Sequence, residues 1–350
     1  MRYKLLGKSG LRVSEFCLGT MTFGDDWGWG SGKDESREIY DAFMESGGNF
    51  IDTADLYTNG TSECFLGEFI ASDRDRVVLA TKYTNSAGGT DPNAAGNHRK
   101  NMMQSVEASL KRLKTDYIDL YWLHVWDFTT PIYEIMRAFD DLIRQGKVLY
   151  IGVSDTPAWI VSRADAIAEL RGWTQFVGLQ IEYSLIERTC EREFLPMARE
   201  LDLGITAWSP LAGGLLTGKY TDDFKGKKEE NRLEHPMMAP LVDINERKRK
   251  ITAAVADVAA ATGKTPAQVA LNWLCQQSSV VIPIIGARRV SQLRDNLGSV
   301  NFSLGNEHLQ KLDAVSRVEL GFPHDFFNNE LVQNFAFGGM RDRIDNHRSE

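Results

Sequence analysis

Eight times along this chain a short run rich in β-branched or aromatic residues is followed by a helical pattern, and that alternation constrains the fold more than any other feature. The runs are Phe16–Thr20, Asn49–Ala54, Val77–Lys82, Tyr117–His124, Tyr150–Ser154, Val177–Tyr183, Gly204–Pro210 and Val281–Gly286. Strands that alternate with helical stretches of about 10–16 residues predict parallel βαβ units. In Asn97–Leu113 the apolar residues Met102, Val106, Leu110 and Leu113 recur three or four apart, which draws one stripe on a helix. Pro131–Gly146 repeats the pattern with Ile135, Met136, Phe139, Leu142 and Ile143. Thr130-Pro131, Thr156-Pro157 and Thr265-Pro266 predict three helix starts, with threonine capping free amides and proline at the first helical position.

Eight such units with no break in composition predict one domain over residues 1–350, an α/β protein of the closed (β/α)₈ TIM-barrel type. The alternative, an open doubly wound sheet, needs a glycine-rich dinucleotide turn after its first strand, and LGTMTFGDD is not one. Three segments fall outside the repeat. Residues 1–15 predict a hairpin with a Ser-Gly turn that plugs one barrel end. Residues 221–245 are long and charged and predict a surface loop. Beyond Arg317 the tail keeps Phe322, Phe326, Phe327, Phe335 and Phe337, and a segment so rich in aromatics is expected to bury them.

A net charge of −8 argues against nucleic acid or an anionic membrane as the main partner, because phosphate binding needs a basic face, yet it leaves room for a local pocket for one phosphate. MRYKLLGKSGLRVSEF carries charges where a secretory signal needs its apolar stretch, and no apolar run approaches the ~18 residues of a membrane span. Cys17, Cys64, Cys190 and Cys275 are scattered without a CxxC pair, as in a reduced cytoplasmic protein.

In a barrel of this type, chemistry belongs at the C-terminal strand ends. Asp52, Lys82 and His124 stand there, and Tyr57 follows Asp52 in the loop leaving the same strand. A strand-end aspartate is often only a helix cap and a lone histidine a core residue, but lysine is rarely buried without a partner. Together they make a coherent set. Tyrosine is a reluctant proton source near pH 7, and a neighbouring ammonium lowers its pKa. Lys82 held by Asp52 can do this, while His124 donates a hydrogen bond to a substrate oxygen. Such a site suits protonation of an alkoxide as hydride reaches a carbonyl carbon. The six histidines show no HxH or HExxH spacing, so no metal is expected, and neither GxSxG nor a P-loop is present.

IDTADLY, ATK, IDLYWLH, the GVS strand end, WSPLAGGLLTGKY and PIIGARRVSQLRDN occur in an order and spacing that resemble the aldo-keto reductases over roughly residues 1–316. The resemblance implies a barrel that binds NADP(H) without a Rossmann motif and reduces small-molecule aldehydes or ketones, with Asp52, Tyr57, Lys82 and His124 as the catalytic tetrad. It places Gly19, Thr20, Met21 and Asp52 at the nicotinamide end, and Ser154, Asp155 and Gln180 on its carboxamide. Trp208 falls on the nicotinamide face. Ser209, Pro210, Leu211, Gly213 and Lys219 fall on the pyrophosphate, and Gly286, Arg288, Gln292 and Asn296 at the adenosine end, with Arg288 toward the 2′-phosphate. Trp27, Trp29, Trp126 and Phe128 are expected to wall the substrate pocket. The resemblance also implies that the tail folds over the barrel mouth. One departure stands out: the family commonly has Asn where this chain has Asp155, and an ionised carboxylate accepts but cannot donate. A second reading on the same fold is an NADPH-binding regulatory subunit with little turnover.

Overall fold

In the computed structural model the chain is described over residues 1–86, 88–218, 245–277 and 280–346. The eight expected strands all form. They are β3 (Cys17–Gly19), β4 (Phe50–Asp52), β5 (Val78–Tyr83), β6 (Ile118–Leu123), β7 (Val148–Ser154), β8 (Gly178–Glu182), β9 (Gly204–Trp208) and β10 (Val281–Ile285). Each pairs in parallel with the next, and β10 closes on β3, giving one closed eight-stranded barrel. Helices lie between successive strands, among them α1 (Lys33–Glu45), α2 (Thr61–Phe69), α3 (Arg99–Leu113), α4 (Ile132–Arg144), α5 (Ala158–Arg171), α6 (Phe194–Glu200), α7 (Glu246–Thr262) and α8 (Pro266–Cys275), while α9 (Val290–Leu297) and α10 (Asn306–Ser316) follow β10. Among the described residues no helix is long and apolar enough to cross a membrane.

The register explains what the interior holds. Side chains alternate across a strand, so every second residue faces the barrel axis. Cys17, Phe50, Val78, Ala80, Leu120, Trp122, Ile282 and Ile284 form the inner cluster. The outward residues, such as Tyr121, Leu123, Ile151, Val153 and Leu179, pack against α3 to α5 and their neighbours. Trp122 is fully buried, and a Cβ added at Gly152 or Gly178 would come within 2.2 and 2.8 Å of its ring. These two glycines therefore make room for the indole at the centre of the barrel.

The N-terminal hairpin forms as expected, with β1 (Tyr3–Leu5) antiparallel to β2 (Arg12–Ser14). It closes the floor. Leu6 and Val13 are fully buried against the inner cluster, Lys4 Nζ donates to Val281 O at 2.7 Å, and the Lys8 amide donates to Asp202 O at 2.7 Å. Gly7 has φ +54, and a Cβ there would lie 2.4 Å from the carbonyl oxygens of both Val177 and Asp202, so only glycine fits that approach.

Two expectations change. Of the three Thr-Pro starts, only Thr265 caps its helix, and Gln268 reciprocates in a capping box. At α4 and α5 the helix begins one residue later, and Pro131 and Pro157 are themselves the extended caps. Their threonines serve the preceding loops: Thr130 Oγ1 donates to Asp127 Oδ2 at 2.7 Å, and Thr156 Oγ1 to Ser154 O at 2.8 Å. The tail is the second correction. Its five phenylalanines are 43–85% exposed. Its described residues form α11 (His324–Phe327), α12 (Glu330–Ala336) and a single 3-10 turn at Arg341–Arg343, all too short to build a continuous apolar stripe. Polar contacts attach it to the loop after β8: Arg192 donates to Glu319 O, and His324 Nε2 lies 3.1 Å from Glu193 Oε1. Of the expected 221–245 loop, Asn245 caps α7, and residues 221–244 lie outside the described residues.

Candidate active site

The same alternation that fills the barrel with apolar side chains below sets polar ones above. Asp52 pairs with Ala80, and Lys82 lies two residues further along the inward face of β5. Lys82 Nζ is buried with three acceptors, Asp52 Oδ2 at 2.5 Å, Thr53 O at 2.7 Å and Tyr57 OH at 3.0 Å. Gln180 Nε2, on the inward face of β8, donates to the other Asp52 oxygen at 3.0 Å. Tyr57 opens a single turn in which Thr58 and Asn59 take left-handed φ values of 46 and 55. Thr58 Oγ1 anchors this turn by donating to Phe23 O at 2.6 Å.

Across from Tyr57, at the end of β6, the His124 ring stands nearly perpendicular to the phenol with centroids 6.1 Å apart. Its Nδ1 lies 3.2 Å from Asn85 Nδ2. Burial first, and the Lys82 ammonium second, push the imidazole down to about 3, so it is neutral near pH 7. Burial works against the charge on Lys82, but Asp52 and Tyr57 outweigh it and hold the ammonium above its ordinary range. Tyr57 departs from expectation. Lys82 does pull its pKa down, yet burial pushes up harder and leaves the phenol above its ordinary value. It is a firmly protonated acid.

The remaining positions gather in groups around the same strand ends. Thr20 is buried, with its hydroxyl engaged by Asp52 O at 3.0 Å and Ser62 at 2.9 Å, and Gly19 beside it has Ile284 where a Cβ would go. Met21, partly buried, continues that turn. The buried Ser154 Oγ makes no well-formed hydrogen bond among the described residues, though it weakly helps to hold the neighbouring Asp155 carboxyl down. Asp155, in a left-handed conformation at φ 39, accepts from Trp208 Nε1 at 3.1 Å. Burial raises its carboxyl above the usual range while the Trp208 bond and Lys82 oppose that. After β9, Ser209 has φ 51 and its Oγ accepts from the Gly213 amide at 3.1 Å; Pro210 is buried, Leu211 packs on the core and Gly213 has φ 65. Lys219 lies outside the described residues.

After β10, Gly286 is exposed, and the Arg288 amide donates to Gln292 Oε1 at 2.9 Å. Ser31 Oγ donates to Arg288 O at 3.0 Å, which ties this loop to the one after β3, while Asn296 on α9 is buried. The four aromatics form two pairs. Trp27 and Trp29 lie 5.9 Å apart with Trp27 Nε1 donating to Asn59, and Trp126 and Phe128 lie 6.4 Å apart. Trp29 and Trp126 are largely buried, whereas Phe128 is 77% exposed.

The barrel thus gathers Asp52, Tyr57 and Lys82 in one hydrogen-bonded cluster faced by His124, and the aldo/keto reductase family model matches residues 15–317 of this chain. This chain belongs to the aldo/keto reductase family. It is 39% identical over 337 residues to norsolorinic acid reductase stcV of Emericella nidulans, covering 93% of this chain and 84% of that protein. It is 35% identical over 342 residues to a putative aryl-alcohol dehydrogenase, AAD14, of Saccharomyces cerevisiae, covering 94% and 90%. It is 37% identical over 349 residues to aldo-keto reductase ausK of Aspergillus calidoustus, covering 93% and 84%. This aldo/keto reductase is accordingly an oxidoreductase of carbonyl and alcohol groups, in a family that generally uses NAD(P)H.

Sequence reasoning overlooked two mouth residues of this reductase. Asn85 sits two residues past β5 and touches His124. Glu182 ends β8 two residues beyond Gln180, and burial, then Glu187 and Asp155, push it up to about 7. The every-second-residue rule, applied one step beyond Gln180, points to Glu182. Nothing in the residue pattern marks Asn85, because it lies in a loop.

Proposed function

We propose that this chain reduces aldehydes and ketones with NADPH, using Tyr57 as the general acid. The observation that carries the reading is the contact of Tyr57 OH with Lys82 Nζ at 3.0 Å, with the neutral His124 ring across the same opening. NADPH, when bound, supplies the hydride. As negative charge develops on the carbonyl oxygen, Tyr57 delivers its proton there, and Lys82 steadies the tyrosinate that remains. Asp52 and Thr53 O hold the ammonium at that point. His124 donates to the same oxygen and orients it. A phenol kept above its ordinary pKa is reluctant to lose its proton before an alkoxide is there to receive it.

The residues present fit the cofactor. Ser154 offers a buried hydroxyl that makes no well-formed protein hydrogen bond, and Gln180 keeps its amide oxygen after donating to Asp52. Met21, Trp208, Ser209, Leu211, Gly213, Gly286, Arg288, Gln292 and Asn296 are the further candidates, with Arg288 as the reader of the 2′-phosphate. The paired aromatics at the mouth, and an aryl-alcohol dehydrogenase among the relatives, favour aromatic carbonyl substrates. NADPH oxidation is measured against a panel of aromatic and short aliphatic aldehydes, alongside NADH. The expected result is NADPH-dependent turnover that is faster on aromatic members. No turnover with any carbonyl, together with no quenching of protein fluorescence by NADPH, overturns the reading.

A further inference from the structure

An imidazole that is neutral has one proton for two nitrogens, and which nitrogen holds it is settled by what the other one meets. In this chain His124 meets Asn85. The Asn85 side-chain nitrogen lies 3.2 Å from His124 Nδ1, and among the described residues Nε2 has no hydrogen bond. An amide NH₂ group only donates, so Nδ1 facing it must be the lone-pair nitrogen and Nε2 must carry the hydrogen. Asn85 is also well placed to hold one position: it is partly buried and lies in the short stretch just after β5, on the strand that carries Lys82.

We propose that Asn85 is a positioning residue that fixes His124 as its Nε2–H tautomer, so that the ring presents a donor to the substrate oxygen that Tyr57 protonates. The functional half rests on the reading of His124 given above. The structural half does not. Had the amide been turned the other way, its oxygen would accept from Nδ1–H and leave Nε2 as an acceptor, useless to a carbonyl oxygen. Asparagine supplies the donor without adding a charge beside Lys82, which aspartate at this position would do.

The test uses ¹⁵N-histidine-labelled full-length protein and three variants, Asn85→Asp, Asn85→Leu and His124→Ala. In the parent protein, NMR should place Nδ1 in the pyridine-type range and Nε2 in the pyrrole-type range. Asn85→Asp offers only acceptors and should move the proton to Nδ1. Asn85→Leu should leave a mixture. Turnover should fall in Asn85→Asp toward the level of His124→Ala, a loss bounded by the roughly 10²–10³-fold cost of removing one such donor. NADPH affinity should hold within about twofold, as a factor of two is under 0.5 kcal/mol.

A parent protein with the proton on Nδ1 overturns the proposal, as does an Asn85→Asp protein whose tautomer is unchanged. A tautomer that flips while turnover stays at the parent level overturns the functional half. If His124→Ala also turns over normally, the fault lies with the assigned role of His124. The tautomer readout needs no substrate, so failure of the reductase reading and failure of the Asn85 link are told apart.

Discussion

The two ends of the barrel are built from the same strands, yet they obey opposite rules. At the floor, the hairpin lays Leu6 and Val13 onto the inner cluster, and its polar contacts, Lys4 to Val281 O and the Lys8 amide to Asp202 O, only tack the edge. At the mouth, the inward positions include Asp52, Lys82, Gln180 and Glu182; the first three join in one hydrogen-bonded centre, and Glu182 is a further ionisable group two residues beyond Gln180. Burial of a paired charge adds little net stability, because desolvation offsets the attraction, whereas apolar burial adds stability directly. The floor therefore holds the barrel shut, and the mouth uses up part of that stability to keep charges in place for chemistry.

If this division holds, Tyr57→Phe should give the largest effect and confine it to rate. Turnover should drop by about 10²–10⁴-fold while the melting temperature and NADPH affinity hold. A Phe variant with near-parent turnover removes Tyr57 as the acid. Asp52→Ala should act on both properties. It leaves Lys82 buried without its carboxylate, which costs on the order of 3–5 kcal/mol, and it frees the ammonium that steadies Tyr57. Thermal unfolding and steady-state rates check it together, and an unchanged melting temperature breaks the claim that the mouth draws on the stability of the fold.

At the floor, Leu6→Ala should mirror Tyr57→Phe, with a loss of about 2–5 kcal/mol in denaturant unfolding and an unaltered kcat. A fall in kcat out of proportion to the loss of folded protein means the two ends are coupled. The smallest effect is expected from deleting the chain after Ser316. With its phenylalanines exposed and its attachments polar and near the surface, the tail should contribute under about 1 kcal/mol to stability. KM for a short aliphatic aldehyde should not move. A selective rise in KM for a bulky aromatic aldehyde would show the tail to be a substrate wall despite its exposed phenylalanines.

The barrel was legible in the sequence because a βαβ repeat leaves its signature locally, in runs that need no knowledge of distant residues. Strand-end placement then picked out Asp52, Lys82 and His124, and the structure joins Tyr57, Asp52 and Lys82 in one hydrogen-bonded cluster with His124 facing it. What failed depended on contacts that the residue pattern does not rank, some distant and some only two or three residues away. Five phenylalanines signal a wish for burial but not whether a surface exists to receive them. Thr130 and Thr156 look like caps until Asp127 and the Ser154 carbonyl claim their hydroxyls. The downward pull of Lys82 on Tyr57 was inferred correctly, but the larger opposing push comes from how deeply the phenol is enclosed, which only packing reveals.

The indole of Trp122, wedged where Gly152 and Gly178 yield space, stands alongside this chemistry, since Trp122 pairs with Lys82 across β5 and β6. It makes the barrel a blind well. Trp122, Thr206 and Ile282 are all fully buried, so side chains fill the barrel below the charged layer. On the reading proposed above, a proton that Tyr57 gives away is then replaced through the opening by which substrate enters. On that reading, a substrate filling the opening would leave the phenol with one proton to give, enough for one carbonyl. Reloading waits on departure of the alcohol, so proton supply and product release become one gate.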